Sequence, residues 1–96
     1  MTRDCVDILM VDDNPADVDL AREALDGTHR PYRLESVPDG EEALSFLTHK
    51  GAYTQAATPD LLFLDLNLPR KDGRQVLAAI KHDPQLAKIP VVVFTT

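Results

Sequence analysis

Residues 8–15 read ILMVDDNP and show the pattern on which the rest of the chain is built. The stretch is a short apolar run, then two aspartates, then an Asn-Pro pair. Asn caps the free amide groups at the start of a helix and Pro fits its first position, so we predict a strand that passes directly into a helix. The carboxylates of Asp12 and Asp13 would then stand at the end of that strand.

The same alternation continues along the chain. Residues 61–65 read LLFLD and residues 91–94 read VVVF, and such continuous apolar runs are typical of parallel strands covered on both faces. Residues 32–37 alternate in polarity as a strand does, and helices are predicted after Asp39 and Gly73. The order of strand, helix, strand, helix, strand, helix and strand predicts an open α/β sheet with right-handed crossovers.

The first helix carries an apolar stripe at helical spacing. Its predicted members are Leu20, Ala21, Ala24 and Leu25. Val18 and Arg22 lie away from that stripe, on a face that is either solvated or open to a partner. Asp17 and Asp19 fall in the first turns, where the helix dipole favours negative charge.

Composition restricts the class of protein. The chain has 96 residues, enough for one domain, and a formal net charge of −6. Residues 1–42 hold twelve acidic and four basic residues, and such an acidic body repels a phosphate backbone, so nucleic-acid binding is not expected. Cys5 is the single cysteine, which excludes an internal disulfide. The absence of a signal-peptide pattern and of a long apolar run predicts a cytoplasmic protein without a membrane segment.

Three aspartates follow apolar strands, and they are the predicted chemical site. The functional crevice of an open α/β sheet lies at the carboxyl ends of its strands, where Asp12, Asp13 and Asp65 would converge. Converging carboxylates repel one another unless a cation lies among them, and oxygen ligands of this kind suit Mg²⁺. Asp65 is the predicted nucleophile, because carboxylates form aspartyl-phosphate intermediates. The hydroxyl of Thr95 could then hydrogen-bond a phosphoryl oxygen.

Three separated stretches resemble the response-regulator receiver family of two-component systems. They are residues 8–14, ILMVDDN; residues 64–73, LDLNLPRKDG; and residues 89–96, IPVVVFTT. Details of all three are similar to the branch of small single-domain regulators paired with bacterial phytochromes. The resemblance implies a flavodoxin-like, doubly wound parallel sheet with strand order 2-1-3-4-5.

The resemblance also implies a role for each matching residue. Asp65 is similar to the phosphoacceptor, and Asp13 to the carboxylate that binds Mg²⁺ directly. Asp12 would act through a metal-bound water, and Asn67 would bind the metal through its backbone carbonyl. Thr95 is similar to the hydroxyl that turns toward the phosphoryl group when the domain switches.

The family also predicts partners and a kind of activity. A sensor histidine kinase, a bacterial phytochrome for the branch named above, would donate the phosphoryl group. The domain would not be an enzyme beyond accepting this group and slowly hydrolysing it. Family members often dimerise, so a homodimer is a further expectation.

One feature departs from the family. Family members continue into a fifth strand that ends in a phosphate-binding lysine, and this sequence stops at Thr96. None of the lysines present matches that position. We therefore expect residues 1–96 to be a receiver domain truncated after its fourth strand.

Two other functions remain open from the residues. A metal-dependent phosphohydrolase would share the aspartyl nucleophile, although such enzymes usually carry a second catalytic aspartate where this chain has Asn67. A receiver-like adaptor would bind its partner without phosphate. The set of Asp12, Asp13, Asp65 and Thr95 argues against the adaptor.

Overall fold

Each predicted strand and helix is present in the structure, a computed structural model that describes residues 5–67 and 73–94. Two short 3-10 turns, Gly51–Tyr53 and Leu86–Lys88, accompany the main elements. The main elements, in chain order, are β1 (Val6–Val11), α1 (Pro15–Asp26), β2 (Tyr32–Val37), α2 (Gly40–Leu47), β3 (Leu61–Asp65), α3 (Gly73–His82) and β4 (Val91–Phe94). The predicted alternation of strands and helices is therefore confirmed.

The four strands form one parallel sheet in the order β2-β1-β3-β4. Val11, the last residue of β1, is in register with Val37 of β2 and with Leu64 of β3. The connection after β1 leads to β2 on one side of it, and the connection after β2 crosses back to β3 on the other side of β1. The switch point of the sheet therefore lies between β1 and β3, which is where sheets of this class bind ligands. The expected doubly wound α/β fold is confirmed.

Apolar side chains cover both faces of the sheet. Alternate residues of β1 point to opposite faces: Leu9 and Val11 to one, Ile8 and Met10 to the other. The first face packs against α2 and α3, with a buried cluster of Leu9, Val11, Val37, Ala43, Phe46, Leu47, Leu62, Leu64, Val76, Ile80, Leu86 and Ile89. The second face packs against α1. Burial on both faces explains why β1 and β3 are continuous apolar runs.

Side-chain caps hold the starts of α1 and α2 where the sequence predicted them. Asn14 Oδ1 accepts a hydrogen bond from the N–H of Ala16 at 2.9 Å, and Pro15 is the first residue of α1. Asp39 Oδ1 accepts one from the N–H of Glu42 at 2.9 Å. The position of α1 matters most for function. Asp12 and Asp13 directly follow β1, and α1 begins two residues after Asp13, at Pro15.

The predicted apolar stripe of α1 was wrong in part: Ala21 and Leu25 pack against the sheet as predicted, but Leu20 and Ala24 do not. Val18 is buried against the sheet, while Leu20 is 63% exposed and Ala24 is also exposed. The stripe that packs is Val18, Ala21 and Leu25, whose spacing of three and four residues fits a helix equally well. Leu20 instead borders an apolar groove beside β4. Both stripes fit the period, so only the position of the sheet distinguishes them.

The β4 side of the described sheet carries exposed apolar side chains. Val92 is 49% exposed and Val93 is 42% exposed, one on each face of the strand. The groove beside Leu20 has a volume of about 310 Å³ and is lined partly by Val92 and Phe94. Among the helices that the structure describes, none has the length and apolar character needed to cross a bilayer.

Candidate functional site

The candidate site lies where β1 and β3 end side by side. Asp12 directly follows β1, and Asp65 is the last residue of β3. Because these strands are adjacent and parallel, their following carboxylates meet at one edge of the sheet. One carboxylate oxygen each from Asp12, Asp13 and Asp65 lies within 4.8 Å of the others. The structure thus brings together the three acids that the sequence singled out.

Asp65 is fully buried at the end of its strand. Its side chain has no exposed surface, and its Oδ1 accepts a hydrogen bond from the N–H of Asn67 at 2.8 Å. The next residue, Leu66, donates its N–H to the carbonyl of Phe94 at 3.0 Å, so the sheet bonding continues just past Asp65. These bonds fix the backbone on which the carboxylate is carried.

Gly73 lets α3 begin directly against the end of β3. A Cβ atom at this position would lie 2.5 Å from the carbonyl oxygen of Asp65 and 2.6 Å from Cα of Leu66. Real Cβ atoms do not approach backbone atoms so closely, and only glycine avoids the clash. The close packing of α3 on the end of β3 therefore requires glycine at position 73.

Asp12 is buried, and only one of its two carboxylate oxygens has a hydrogen-bond partner among the described residues. Its N–H donates to the carbonyl of Val37 at 3.0 Å, and its Oδ1 accepts from the N–H of Asn14 at 2.8 Å. Its Oδ2 is buried without a hydrogen-bond partner among the described residues. Burial raises the pKa of Asp12 to about 6; the hydrogen bond from Asn14 opposes this, and the negative charges of Asp17 and Asp65 add to it.

Asp13 and Asp17 surround the buried acids on the side of α1. Asp13 is exposed and forms the solvent side of the three-carboxylate group. Asp17, half-buried in the first turn of α1, lies within hydrogen-bonding reach of the Asp12 carboxylate. This contact was not predicted from the sequence, because the helix dipole alone accounts for an acid at that position. Its place in the turn just after the acidic pair was the available signal.

The donor set fits a divalent cation. Three carboxylates in one place offer hard oxygen ligands, which Mg²⁺ and similar ions prefer. The buried Oδ2 of Asp12 has no partner, although a buried ionised oxygen normally has one. A cation among these carboxylates would satisfy that oxygen and cancel their mutual repulsion.

Asn67, a further predicted site residue, contacts this group through its backbone. Asn67 is exposed and supplies its backbone N–H to Asp65; the proposed use of its carbonyl remains a prediction. Thr95 lies outside the described residues, and so does Thr96.

Comparison with known proteins agrees with this architecture. The family model described as the response regulator receiver domain matches residues 8–96. Response regulator Rcp1 of Synechocystis sp. is 48% identical over 89 residues, which are 93% of this chain and 60% of Rcp1. This chain therefore spans about three fifths of the length of that relative.

Solved structures show the same fold. The crystal structure of the phosphorylated cyanobacterial phytochrome response regulator RcpA has a TM-score of 0.89 and 52% identity, covering 95% of this chain and 65% of RcpA. The Mn²⁺-bound form of Rcp1 has a TM-score of 0.90 and 47% identity, covering 95% of this chain and 66% of Rcp1. From its sequence, its sheet and its relatives, the chain belongs to the response regulator receiver domain family.

Proposed function

We propose that this chain accepts a phosphoryl group on Asp65 from a histidine kinase, with Mg²⁺ bound beside it, and thereby switches a signalling output. The observation that carries the proposal is the convergence of Asp12, Asp13 and Asp65 around the buried, unpartnered Oδ2 of Asp12. Two solved relatives support it, since one is described as phosphorylated and one as Mn²⁺-bound. The choice of Mg²⁺ follows from the all-oxygen ligand set.

The proposed reaction is a transfer between two residues. A carboxylate oxygen of Asp65 attacks the phosphorus of a phosphohistidine, the phosphorus–nitrogen bond breaks, and the imidazole leaves with the electron pair and takes up a proton. An ionised aspartate needs no separate base for this step. Asp65 has no exposed surface, so groups that cover it must move before a donor can reach it.

The remaining site residues serve binding and charge balance in this proposal. Asp13 would hold the cation directly, Asp12 would hold it through a bound water, and Asn67 would contribute its backbone carbonyl. The cation, when bound, neutralises charge on the phosphoryl oxygens as they approach the carboxylates. Thr95 is proposed as the hydroxyl that hydrogen-bonds the phosphoryl group and starts the conformational switch.

The proposed donor is a histidine kinase of the bacterial phytochrome type, because RcpA is described as a phytochrome response regulator and a further solved relative as a bacteriophytochrome response regulator. A cytoplasmic location and dimerisation with a second copy are part of the same proposal. We further propose that the domain has no turnover of free substrates. Asn67 stands where an aspartyl phosphohydrolase usually carries its second catalytic aspartate, and no observation favours that alternative.

Phosphorylation by a small donor tests the proposal. The protein is incubated with Mg²⁺ and acetyl phosphate, and we expect one hydroxylamine-labile phosphoryl adduct in the wild type and none in Asp65→Asn. Asp19→Asn removes an exposed acid of α1 and serves as the matched control, with wild-type labelling expected. Equal labelling of Asp65→Asn would reject Asp65 as the acceptor, and turnover of small phosphate esters would support the phosphohydrolase instead.

A further inference from the structure

Asp17 has a fixed position beside the three-carboxylate group. Its N–H donates to the carbonyl of Asn14 at 3.1 Å, within the first turn of α1. Asn14 also donates its own N–H to Oδ1 of Asp12 at 2.8 Å. Asn14 therefore bonds to the backbone of Asp17 and to the side chain of Asp12, and the two carboxylates lie within hydrogen-bonding reach of each other.

This contact is unfavourable as it stands. When neither carboxylate carries a proton, neither can donate a hydrogen bond to the other. Oδ2 of Asp12 is buried and has no hydrogen-bond partner, and Asp12 as a whole is only 4% exposed. In residues 5–67 and 73–94, no basic side chain forms an ion pair with either acid. A cation, or a group that donates hydrogen bonds, would relieve this contact while both carboxylates stay ionised.

The helix dipole explains only part of the arrangement. An acid in the first turn of a helix is stabilised by the positive N-terminal end, and this would suffice for Asp17 if it pointed to solvent. Asp17 is instead half-buried and adjacent to a carboxylate with an unpartnered oxygen. A bound cation with its waters would give that oxygen the positive charge or the hydrogen-bond donor that it lacks.

We propose that Asp17 is a positioning residue of the metal site, whose carboxylate accepts a hydrogen bond from a water on the divalent cation held by Asp12, Asp13 and Asp65. The inference rests on the metal site of the proposed function. Mg²⁺ keeps several of its waters in proteins, so an acid outside the direct ligand group can still bind the ion through them. Outer partners of this kind typically contribute 10- to 100-fold in metal affinity.

Binding of Mn²⁺ to the protein tests the inference without any phosphorylation. Free Mn²⁺ is measured by electron paramagnetic resonance during titration of the wild type, Asp17→Asn and the exposed-acid control Asp19→Asn. We expect Asp17→Asn to weaken binding by about tenfold, and Asp19→Asn to change it by less than about twofold. Asp17→Glu, which restores the carboxylate, should recover part of the affinity.

A second readout separates a metal role from a dipole role. With chelator present, Asp17→Asn should raise the thermal midpoint, since it removes the repulsion with Asp12; a residue that served only the helix dipole would lower it on substitution. If the wild type binds Mn²⁺ and Asp17→Asn binds it equally well, the inference fails while the metal site stands. If the wild type binds no Mn²⁺, the metal site itself fails, and the inference with it.

Discussion

Asp12 and Asp65 hold their carboxylates in the same way at the ends of adjacent strands. Oδ1 of each accepts a hydrogen bond from the backbone N–H two residues later, at 2.8 Å in both cases. Asn14 donates to Asp12, and Asn67 donates to Asp65. This repeated turn directs both carboxylates into the same space, where one oxygen of each meets an oxygen of Asp13.

Neutralising Asp12 should stabilise the metal-free protein. In Asp12→Asn the side-chain oxygen can still accept the hydrogen bond from Asn14, while the buried charge and its repulsion with Asp17 and Asp65 disappear. We expect the free energy of unfolding in chelator to rise by about 1 to 3 kcal/mol. Urea denaturation with chelator and then with Mg²⁺ measures this, and Mg²⁺ should stabilise the wild type far more than the variant. A destabilised variant in chelator would contradict this account of Asp12.

Gly73→Ala should destabilise the protein and disturb the site together. The added methyl group would lie 2.5 Å from the carbonyl oxygen of Asp65, so the start of α3 must shift. We expect a loss of about 1 to 3 kcal/mol in the free energy of unfolding, together with weaker Mn²⁺ binding. Gly27→Ala is the matched control, because Gly27 has φ −65° and its nearest neighbour to an added Cβ is at 3.3 Å. If Gly73→Ala and Gly27→Ala had the same free energy of unfolding, the close approach of α3 to the backbone of Asp65 would not matter for stability.

The role of Asn67 should depend on its backbone and not on its amide. Asn67→Ala keeps the N–H that donates to Asp65, so labelling by acetyl phosphate should stay within about twofold of the wild type, a change worth less than about 0.5 kcal/mol. Asn67→Pro removes that N–H and should abolish most of the labelling. Quantified phosphoprotein gels compare the two. Loss of labelling in Asn67→Ala would assign a function to the side chain.

Tyr53 ties the loop after α2 back to that helix, and its effect should depend on pH. The phenol donates to Oε2 of Glu42 at 2.5 Å, and this bond chiefly raises the pKa of Tyr53 from 10.0 to about 12. A pKa raised on folding contributes stability that is full below the unfolded value and is lost as the pH rises through the folded value. The wild type should therefore exceed Tyr53→Phe by about 1 kcal/mol below pH 10, with the difference vanishing above pH 12. Denaturation across this range measures it, and a difference independent of pH would refute the hydrogen bond as its cause.

Val92 should promote association through the β4 side of the sheet. Its side chain is 49% exposed and lines the apolar groove beside Leu20, and exposed apolar patches favour association with other chains. Val92→Lys should lower the associated fraction in sedimentation velocity runs. Ala24→Lys adds the same charge to an exposed position of α1 and should leave association unchanged. Equal effects of the two variants would mean that net charge, and not this apolar surface, controls association.

Much of the fold and the centre of the site could be predicted from the sequence, because they depend on local patterns. Apolar runs followed by aspartates mark strands that are buried on both faces and end at a crevice. The face of α1 that packs on the sheet could not be predicted in full, since stripes built on Val18 or on Leu20 fit the helical period equally well. The contact of Asp17 with Asp12 could not be predicted either, because it depends on how a loop turns between strand and helix.

The position of the phosphoryl group tests the central claim most directly. After labelling with acetyl phosphate and Mg²⁺, borohydride reduction converts a phosphorylated aspartate into homoserine, which peptide mass spectrometry locates in the chain. We predict homoserine at Asp65 and at no other acidic residue. Homoserine at Asp12, Asp13 or Asp17, or none anywhere after wild-type labelling, would contradict the assignment of Asp65 as the phosphoacceptor.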